Sequence, residues 1–314
     1  CNSSTVQCRG LDVSGSGTLT APDASGSLTI TGTQTGSSGN DAFDTEDGTT
    51  FTHSSGTITF TGNTNPQIRN RSGESFNNIV INTTGGTPIV EAQRDMAIAG
   101  NLTIVEGTFR SYGTNARSIT VTGDVSVEDG GTLGGGSANT ANHSFGSLTI
   151  ASGGTYTATS GTTTITAETS SHAWNNTGGT FTHNNGKVKI YDATGSVMGS
   201  TSVRENTFYD LEISLYATTY TCSLYDVSGN AVTILNNLDV TKGEVEFSTA
   251  SDTITIHGLT NITANAKFCD NASHDTNKII HNGLVTNLGT YNINDGTTVK
   301  LNGGIRQLGT LTVK

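Results

Sequence analysis

The sequence predicts an all-β chain folded as a parallel β-helix, a β-solenoid. Three observations carry that expectation: one long segment is written twice, a finer beat of short apolar-x-apolar strands runs through both copies, and the breaks between strands are Gly, Asn, Ser and Asp. The alternative architecture is a string of β-sandwich domains. Sandwich strands usually run about 5–6 residues, whereas the apolar cores here are mostly shorter.

The first copy of the long segment, residues 47–62, reads DGTTFTHSSGTITFTG, and the second, residues 178–192, reads GGTFTHNNGKVKIYD. Phe51 falls on Phe181, His53 on His183, Gly56 on Gly186, and Ile58 and Phe60 on Val188 and Ile190. The match continues downstream, where Phe76, Ile79 and Ile81 meet Phe208, Leu211 and Ile213. Asn101, Leu102 and Gly107 then meet Asn237, Leu238 and Gly243, and Ile119, Val121 and Gly123 meet Ile254, Ile256 and Gly258. A partial third pass pairs Gly153, Tyr156 and Gly161 with Leu288, Tyr291 and Gly296. Residues 19–314 are therefore expected to be one continuous solenoid of about two 130–135-residue repeats plus part of a third, preceded by residues 1–18 as a leader or donor segment.

The finer beat is apolar, polar, apolar, with Thr usually in the middle: Leu28 and Ile30, Leu102 and Ile104, Ile119 and Val121, Leu148 and Ile150, Ile254 and Ile256, Leu311 and Val313. Alternation with a period of two sends both apolar side chains to one face and the Thr to the other. The intervening Gly and Asn residues supply positive φ and side-chain-capped turns.

Composition narrows the function. The net charge is −11 with only 13% of residues charged, so the chain is acidic without being strongly self-repelling, and strand periodicity argues against disorder. The basic residues read as spread thin, which argues against a nucleic-acid partner. No apolar run approaches the roughly 18–20 residues of a membrane-spanning helix.

The four cysteines, Cys1, Cys8, Cys222 and Cys269, predict two disulfides in an oxidising compartment. The favoured pairs are Cys1 with Cys8 and Cys222 with Cys269; free buried thiols are the alternative. A start at Cys1 suggests a removed signal peptide, or a lipid carried on Cys1 itself.

At this point the phrases GTFTHNNGKVKI, FNNIVI, AGNLTIVEGTF and GSLTIASGGTYTATSGTTTI resemble the repeats of secreted bacterial and phage β-helix proteins, over most of the chain from about Ser25 onward. The resemblance implies a right-handed parallel β-helix outside the cell or on a virion surface, of the kind found in adhesins, surface fibres, tail fibres and extracellular filaments. It carries over no catalytic residue.

A search for chemistry yields little. The acidic stretch Asp41, Asp44, Glu46 and Asp47 could hold Ca²⁺ through oxygen ligands, with Asp41, Asp44 and Asp47 the weak candidates, but it lacks the order of an EF-hand loop and reads more readily as a solvated loop. Glu128 and Asp129 read as a turn. No His stands in a ligand pair, and the repeat-equivalent His53 and His183 read as structural residues on the core's rim. The G-x-S-x-G pattern near Gly10 is broken, and the Gly134 run lacks the Lys of a phosphate loop. No cofactor is expected and the chain is not expected to be an enzyme. Tyr209, Tyr216, Tyr220 and Tyr225, with Trp174 upstream, are candidates for stacking on sugars, or else pack on a lateral face or another subunit. Glycosylation sequons stand at Asn2, Asn70, Asn82, Asn101, Asn142, Asn175, Asn261 and Asn271, about as many as chance supplies; Asn70, Asn142, Asn175 and Asn271 are the better sites because they read as loops.

Neither end of the sequence carries a recognisable solenoid cap, and the third repeat stops before its own FTHxxG phrase. Open ends of complementary type predict head-to-tail self-association. The expectation is a structural filament or fibre subunit. Alternatives are a glycan-binding adhesin or viral fibre segment and, third, a polysaccharide-cleaving enzyme, for which no carboxylate pair of suitable spacing presents itself.

Overall fold

The computed structural model describes residues 4–34, 40–85, 88–112, 116–135, 139–169, 171–195, 198–225, 231–247, 253–269, 278–293 and 297–313. Among them the regular elements are all strands, and together they form a parallel β-solenoid of about 12 turns. Among the described residues the strand-to-strand ladders are parallel, and the one antiparallel contact is an isolated bridge between Thr169 and His172. A tandem-sandwich chain would pair its strands antiparallel, so the solenoid reading holds. The chain divides into two compact units, Cys1–Gly161 with Gly179–Thr182, and Thr162–Gly178 with His183–Lys314.

In the first unit, register stacks like on like. Leu28, Ile58, Ile79, Leu102, Val125 and Leu148 occupy successive rungs of one ladder, and two residues along each strand Ile30, Phe60, Ile81, Ile104, Val127 and Ile150 occupy another. All are buried. The residues between them, Thr29, Thr59, Val80, Thr103, Ser126 and Thr149, face outward in a third ladder, polar on every rung but that of Val80. A second wall contributes Val90, Phe109, Leu133, Tyr156 and Phe181, and a third Phe76, Ile98, Val121 and Phe145. Each such buried aliphatic or aromatic side chain contributes about 1.5–3 kcal/mol, so a core one side chain deep per rung is sufficient once the rungs are many. Phe43, Phe51 and Phe76 close one side of it, with ring centroids 5.1–5.4 Å apart.

The second unit repeats the plan, with Val188, Leu211, Leu238, Thr260, Val285 and Ile305 on one ladder. Beside it run Ile190, Ile213, Val240, Ile262, Asn287 and Gln307, and across the core Thr201, Cys222, Val245, Phe268, Tyr291 and Leu311. Polar residues thus replace aliphatic ones on the later rungs.

Some strands are longer than the short apolar beat implies. Leu102–Ser111 and Leu238–Phe247 each run 10 residues, because the backbone turns from one wall to the next inside a continuous strand. The turning residues are Gly107 and Gly243, with φ of 87° and 94°, a left-handed conformation that glycine adopts without steric cost. These are the glycines that matched between the two repeats.

Within residues 1–18, expected as a leader or donor, Thr5–Cys8 and Leu11–Val13 pair in parallel with Ser27–Ile30 and Asp41–Thr45 and form edge strands of the first unit.

Glycines also mark where successive coils approach too closely for a side chain. A Cβ on Gly146 would lie 2.5 Å from the Thr122 carbonyl oxygen and closer still to that of Gly123, whereas a Cβ on Gly134 would have Arg110 Cβ at 3.7 Å as its nearest neighbour. Gly146→Ala is therefore expected to lose about 2–4 kcal/mol by urea denaturation, with Gly134→Ala within about 1 kcal/mol of the parent; equal losses at the two sites would contradict this account.

Candidate functional site

The repeated FTHxxG phrase is a turn. In the first copy Ser54 and Ser55 have φ of 47° and 64°, and in the second Asn184 and Asn185 have 47° and 59°. The Gly56 N–H donates to the His53 carbonyl at 3.2 Å, and the Gly186 N–H to that of His183 at 2.8 Å. The imidazole caps the turn: His53 Nδ1 accepts from the Ser55 N–H at 3.3 Å and His183 Nδ1 from the Asn185 N–H at 2.9 Å. Both histidines are half-buried, and their ring nitrogens hold the tight turn. Paired left-handed residues favour Asn and Gly. Replacing Ser54 and Ser55 by Asn-Gly should stabilise the chain by about 1 kcal/mol, and by Val-Val should destabilise it by more than that in thermal or urea unfolding.

A second repeated device stitches coil to coil. Asn78 Oδ1 accepts from the Asn101 N–H at 2.9 Å, Asn101 Oδ1 from the Asp124 N–H at 2.9 Å, and Asp124 Oδ1 from the Ser147 hydroxyl at 2.7 Å; each residue lies 23 positions after the last. In the second unit Asp210 Oδ1 accepts from the Asn237 N–H and Asn237 Oδ1 from the Leu259 N–H, both at 2.9 Å. Asn101 is therefore exposed but engaged in the ladder.

The expected Cys222–Cys269 disulfide is corrected. Cys222 pairs in register with Val245, which in turn pairs with Phe268, the neighbour of Cys269. The strand Leu238–Phe247 thus lies between the two cysteines, which places them about two strand spacings, roughly 9–10 Å, apart, beyond the reach of an S–S bond. Among the described residues the thiols of Cys8, Cys222 and Cys269 are free. Burial pushes the Cys222 thiol far up, and burial with the Glu244 carboxylate pushes Cys269 up to about 12, so neither is a ready nucleophile. Cys1, Asn2 and Asn271 lie outside the described residues.

Asn70, expected in a loop, is 1% exposed, and its amide donates to the Asp95 carbonyl at 3.2 Å. Burial withdraws it as a glycan acceptor. Asn142 is exposed, while Asn82, Asn175 and Asn261 are half-buried, with the Asn261 amide on Asp239 at 2.7 Å. Trp174, grouped with candidate sugar-stacking aromatics, is fully buried against Phe208 at 5.9 Å. Tyr209 stacks on His183 at 5.6 Å, Tyr216 is exposed beside Lys242 at 5.1 Å, and Tyr220 and Tyr225 are half-buried.

The acidic stretch does not converge. Asp41 is buried on the strand Asp41–Thr45 with Arg69 Nη2 at 3.4 Å, while Asp47 is exposed in the following turn. Asp44 pairs in register with Asp12 on one side and Arg69 on the other. Burial and the Asp41 carboxylate push its carboxyl up, against the opposing pull of Arg69. No three His, Cys, Asp or Glu side chains among the described residues come together as a metal ion requires. Glu205 is buried, but its two oxygens accept from the Asn176 amide at 2.9 Å and the Asn206 N–H at 2.8 Å. Burial raises this carboxyl above the usual carboxylate range, and those hydrogen bonds offset only part of the rise.

What the fold does assemble is a groove of about 560 Å³ on the first unit, lined by Ser72, Glu74, Arg94, Asp95, Arg117 and Ser118 among others, with a smaller one beside it lined by Arg71 and His53. Arg71, Arg94 and Arg117 are each 23 residues apart, the same interval as the asparagine ladder. The basic residues are thus less scattered than the sequence suggested. Spacing at the coil period was the signal that could have found them.

No protein-family model matches the chain, and comparisons with curated proteins and with solved structures likewise returned no match.

Two buried histidines make stability depend on pH. His143 Nδ1 accepts from the Ile119 N–H at 3.0 Å; His281 lies between the Thr260 hydroxyl at 2.8 Å and the Tyr291 hydroxyl at 3.0 Å. Burial lowers each imidazole from 6.5 to about 4. The unfolded chain then binds these protons more tightly than the native one, so their neutral forms are fully compatible with folding above about pH 6.5. Stability falls through the window from 6.5 to 4, by on the order of 3 kcal/mol per histidine at its lower end. Urea titrations at pH 7 and 4.5 should show this loss, and His281→Gln should shrink it; an unchanged pH slope in the variant would contradict the assignment.

Proposed function

We propose that the chain is a structural, non-catalytic subunit of an extracellular filament or surface fibre that extends by stacking coils of one copy on coils of the next. The observation that carries this reading is the parallel in-register stacking itself, in which apolar rows run from coil to coil, as Val245, Phe268, Tyr291 and Leu311 do. Each coil is covered by the next, and a coil of a second copy can cover one in the same way.

An interior amide ladder points the same way. Asn287 stacks on Gln307 in register and donates its amide to Gln307 Oε1 at 3.1 Å, while Gln307 Nε2 has no partner among the described residues. A further parallel strand supplying an acceptor would satisfy that amide. Heterologous contacts of this kind do not close and therefore propagate. The extracellular setting is suggested by the resemblance of the repeat phrases to secreted β-helix proteins and by a Thr-, Ser- and Asn-rich sequence.

Negative-stain microscopy of the purified protein over a concentration series is expected to show filaments that lengthen with concentration. Leu311→Lys combined with Val313→Lys should leave a folded, non-extending particle. Filaments formed undiminished by that variant, or particles of constant size from the parent at every concentration, would overturn the reading.

A further inference from the structure

We propose that the groove around Arg94 and Arg117 binds a carboxylate-bearing polysaccharide, with the two guanidinium groups as its anion clamp. The pairing of Met96 with Ile119 fixes the register here, and the Asp95 side chain accepts from the Ser118 N–H at 2.8 Å. Two residues before the paired positions stand Arg94 and Arg117, at equivalent places on successive coils. Successive coils are separated by one strand spacing, about 4.8 Å, and both arginines line the same groove.

Neither guanidinium group is held in an ion pair. Arg94 is exposed and makes no hydrogen bond or ion pair with any described residue, and Arg117 Nε is buried with no hydrogen-bond partner among the described residues. Glu74 and Asp95 line the same groove and bring two carboxylates to it. Asp95 accepts from the Ser118 N–H, and Glu74 Oε2 from the Thr45 hydroxyl at 2.5 Å and the Arg71 N–H at 3.0 Å, and neither bonds Arg94 or Arg117. Arg71 itself is directed to the Thr49 carbonyl, with Nη1 at 2.6 Å. A pair of unpaired guanidinium groups offers the planar, forked donors that suit carboxylate oxygens.

The rest of the lining selects the ligand class. Ser72, Ser118 and Thr120 offer hydroxyls, and Met96, the one sizeable apolar side chain, is buried. A peptide would need an apolar anchor pocket, and a single-stranded nucleic acid an aromatic platform; the groove lining supplies neither. Hydroxyl-rich walls with two cationic forks fit a polyol carrying carboxylates. The volume falls in the range of small-ligand sites, about 300–1,000 Å³.

Calorimetric titration of the full chain with a tri-uronate oligosaccharide and with a hyaluronan tetrasaccharide tests this, using the neutral galactose trimer and inorganic sulfate as comparators. Binding of at least one acidic oligosaccharide is expected, weakening with added salt and reduced at least tenfold by Arg94→Gln and by Arg117→Gln, while Lys300→Gln leaves it unchanged. Arg94 makes no internal contacts, so Arg94→Gln should keep the parental melting temperature and reports on binding alone. The proposal fails if neither acidic oligosaccharide binds, if the neutral trimer or sulfate binds as tightly, or if the Arg94→Gln and Arg117→Gln variants bind like the parent.

Discussion

One constraint governs this molecule: in a parallel in-register ladder each residue meets its counterpart on the next coil at about 4.8 Å. Whatever a position carries, it carries again one coil on, and the two copies must be compatible at that distance. Apolar residues satisfy the rule by stacking into the Leu28-to-Leu148 and Ile30-to-Ile150 rows. Thr and Ser satisfy it on the outer face, where hydroxyls tolerate one another and water. Asparagine does so with benefit, because its side-chain oxygen reaches the backbone N–H of the next coil, as Asn78 does for Asn101 and Asn101 for Asp124. Glycine meets it where the corners close up and any Cβ would strike a carbonyl, as at Gly146.

That rule explains what could be read from the sequence and what could not. Short strands with Thr between aliphatic residues, and Gly and Asn at the breaks, are local signals, so the fold was legible. Matched residues such as Gly107 and Gly243 were visible as repeats, and their left-handed conformation gives the reason they match. The functional features are differences between coils, and these depend on which residues become neighbours. Cys222 and Cys269 looked suited to join, but the strand between them is visible only once register is known. Asn70 read as a loop residue because its neighbours are polar, yet its amide is drawn inward to the Asp95 carbonyl. The arginines at 71, 94 and 117 looked scattered because the 23-residue coil length was hidden beneath the longer repeat.

Interior polarity is unevenly distributed, and this too follows from stacking. In the first unit the two long apolar rows stay aliphatic or aromatic from rung to rung. In the second, Thr260, His281, Asn287 and Gln307 take positions that aliphatic residues hold on earlier rungs. Buried polar groups cost stability unless paired, and here most pair with each other: Thr260 with His281, His281 with Tyr291, Asn287 with Gln307. Such a network specifies register more sharply than an aliphatic row, since a slip of one residue would break every pair. Register is then sharply defined along these rungs.

Charge is the residue property that stacking tolerates least, and most ladders solve it by alternation. Glu91 pairs in register with Arg110 and bonds it at 2.8 Å, and Lys189 pairs with Glu212 at 2.8 Å. Burial would raise the Glu212 carboxyl, but Lys189 and Lys187 outweigh it and hold it low; Lys187 is raised in return, with Glu212 outweighing its own burial. Where two carboxylates meet, as Asp12 and Asp44 do, Arg69 sits on the next rung as the compensating cation. Arg94 and Arg117 break the pattern, since neither forms an ion pair among the described residues, while the carboxylates of Glu74 and Asp95 in the same groove accept from other donors. Guanidinium groups left unpaired on successive coils are the forked donors that the proposed acidic polysaccharide would engage.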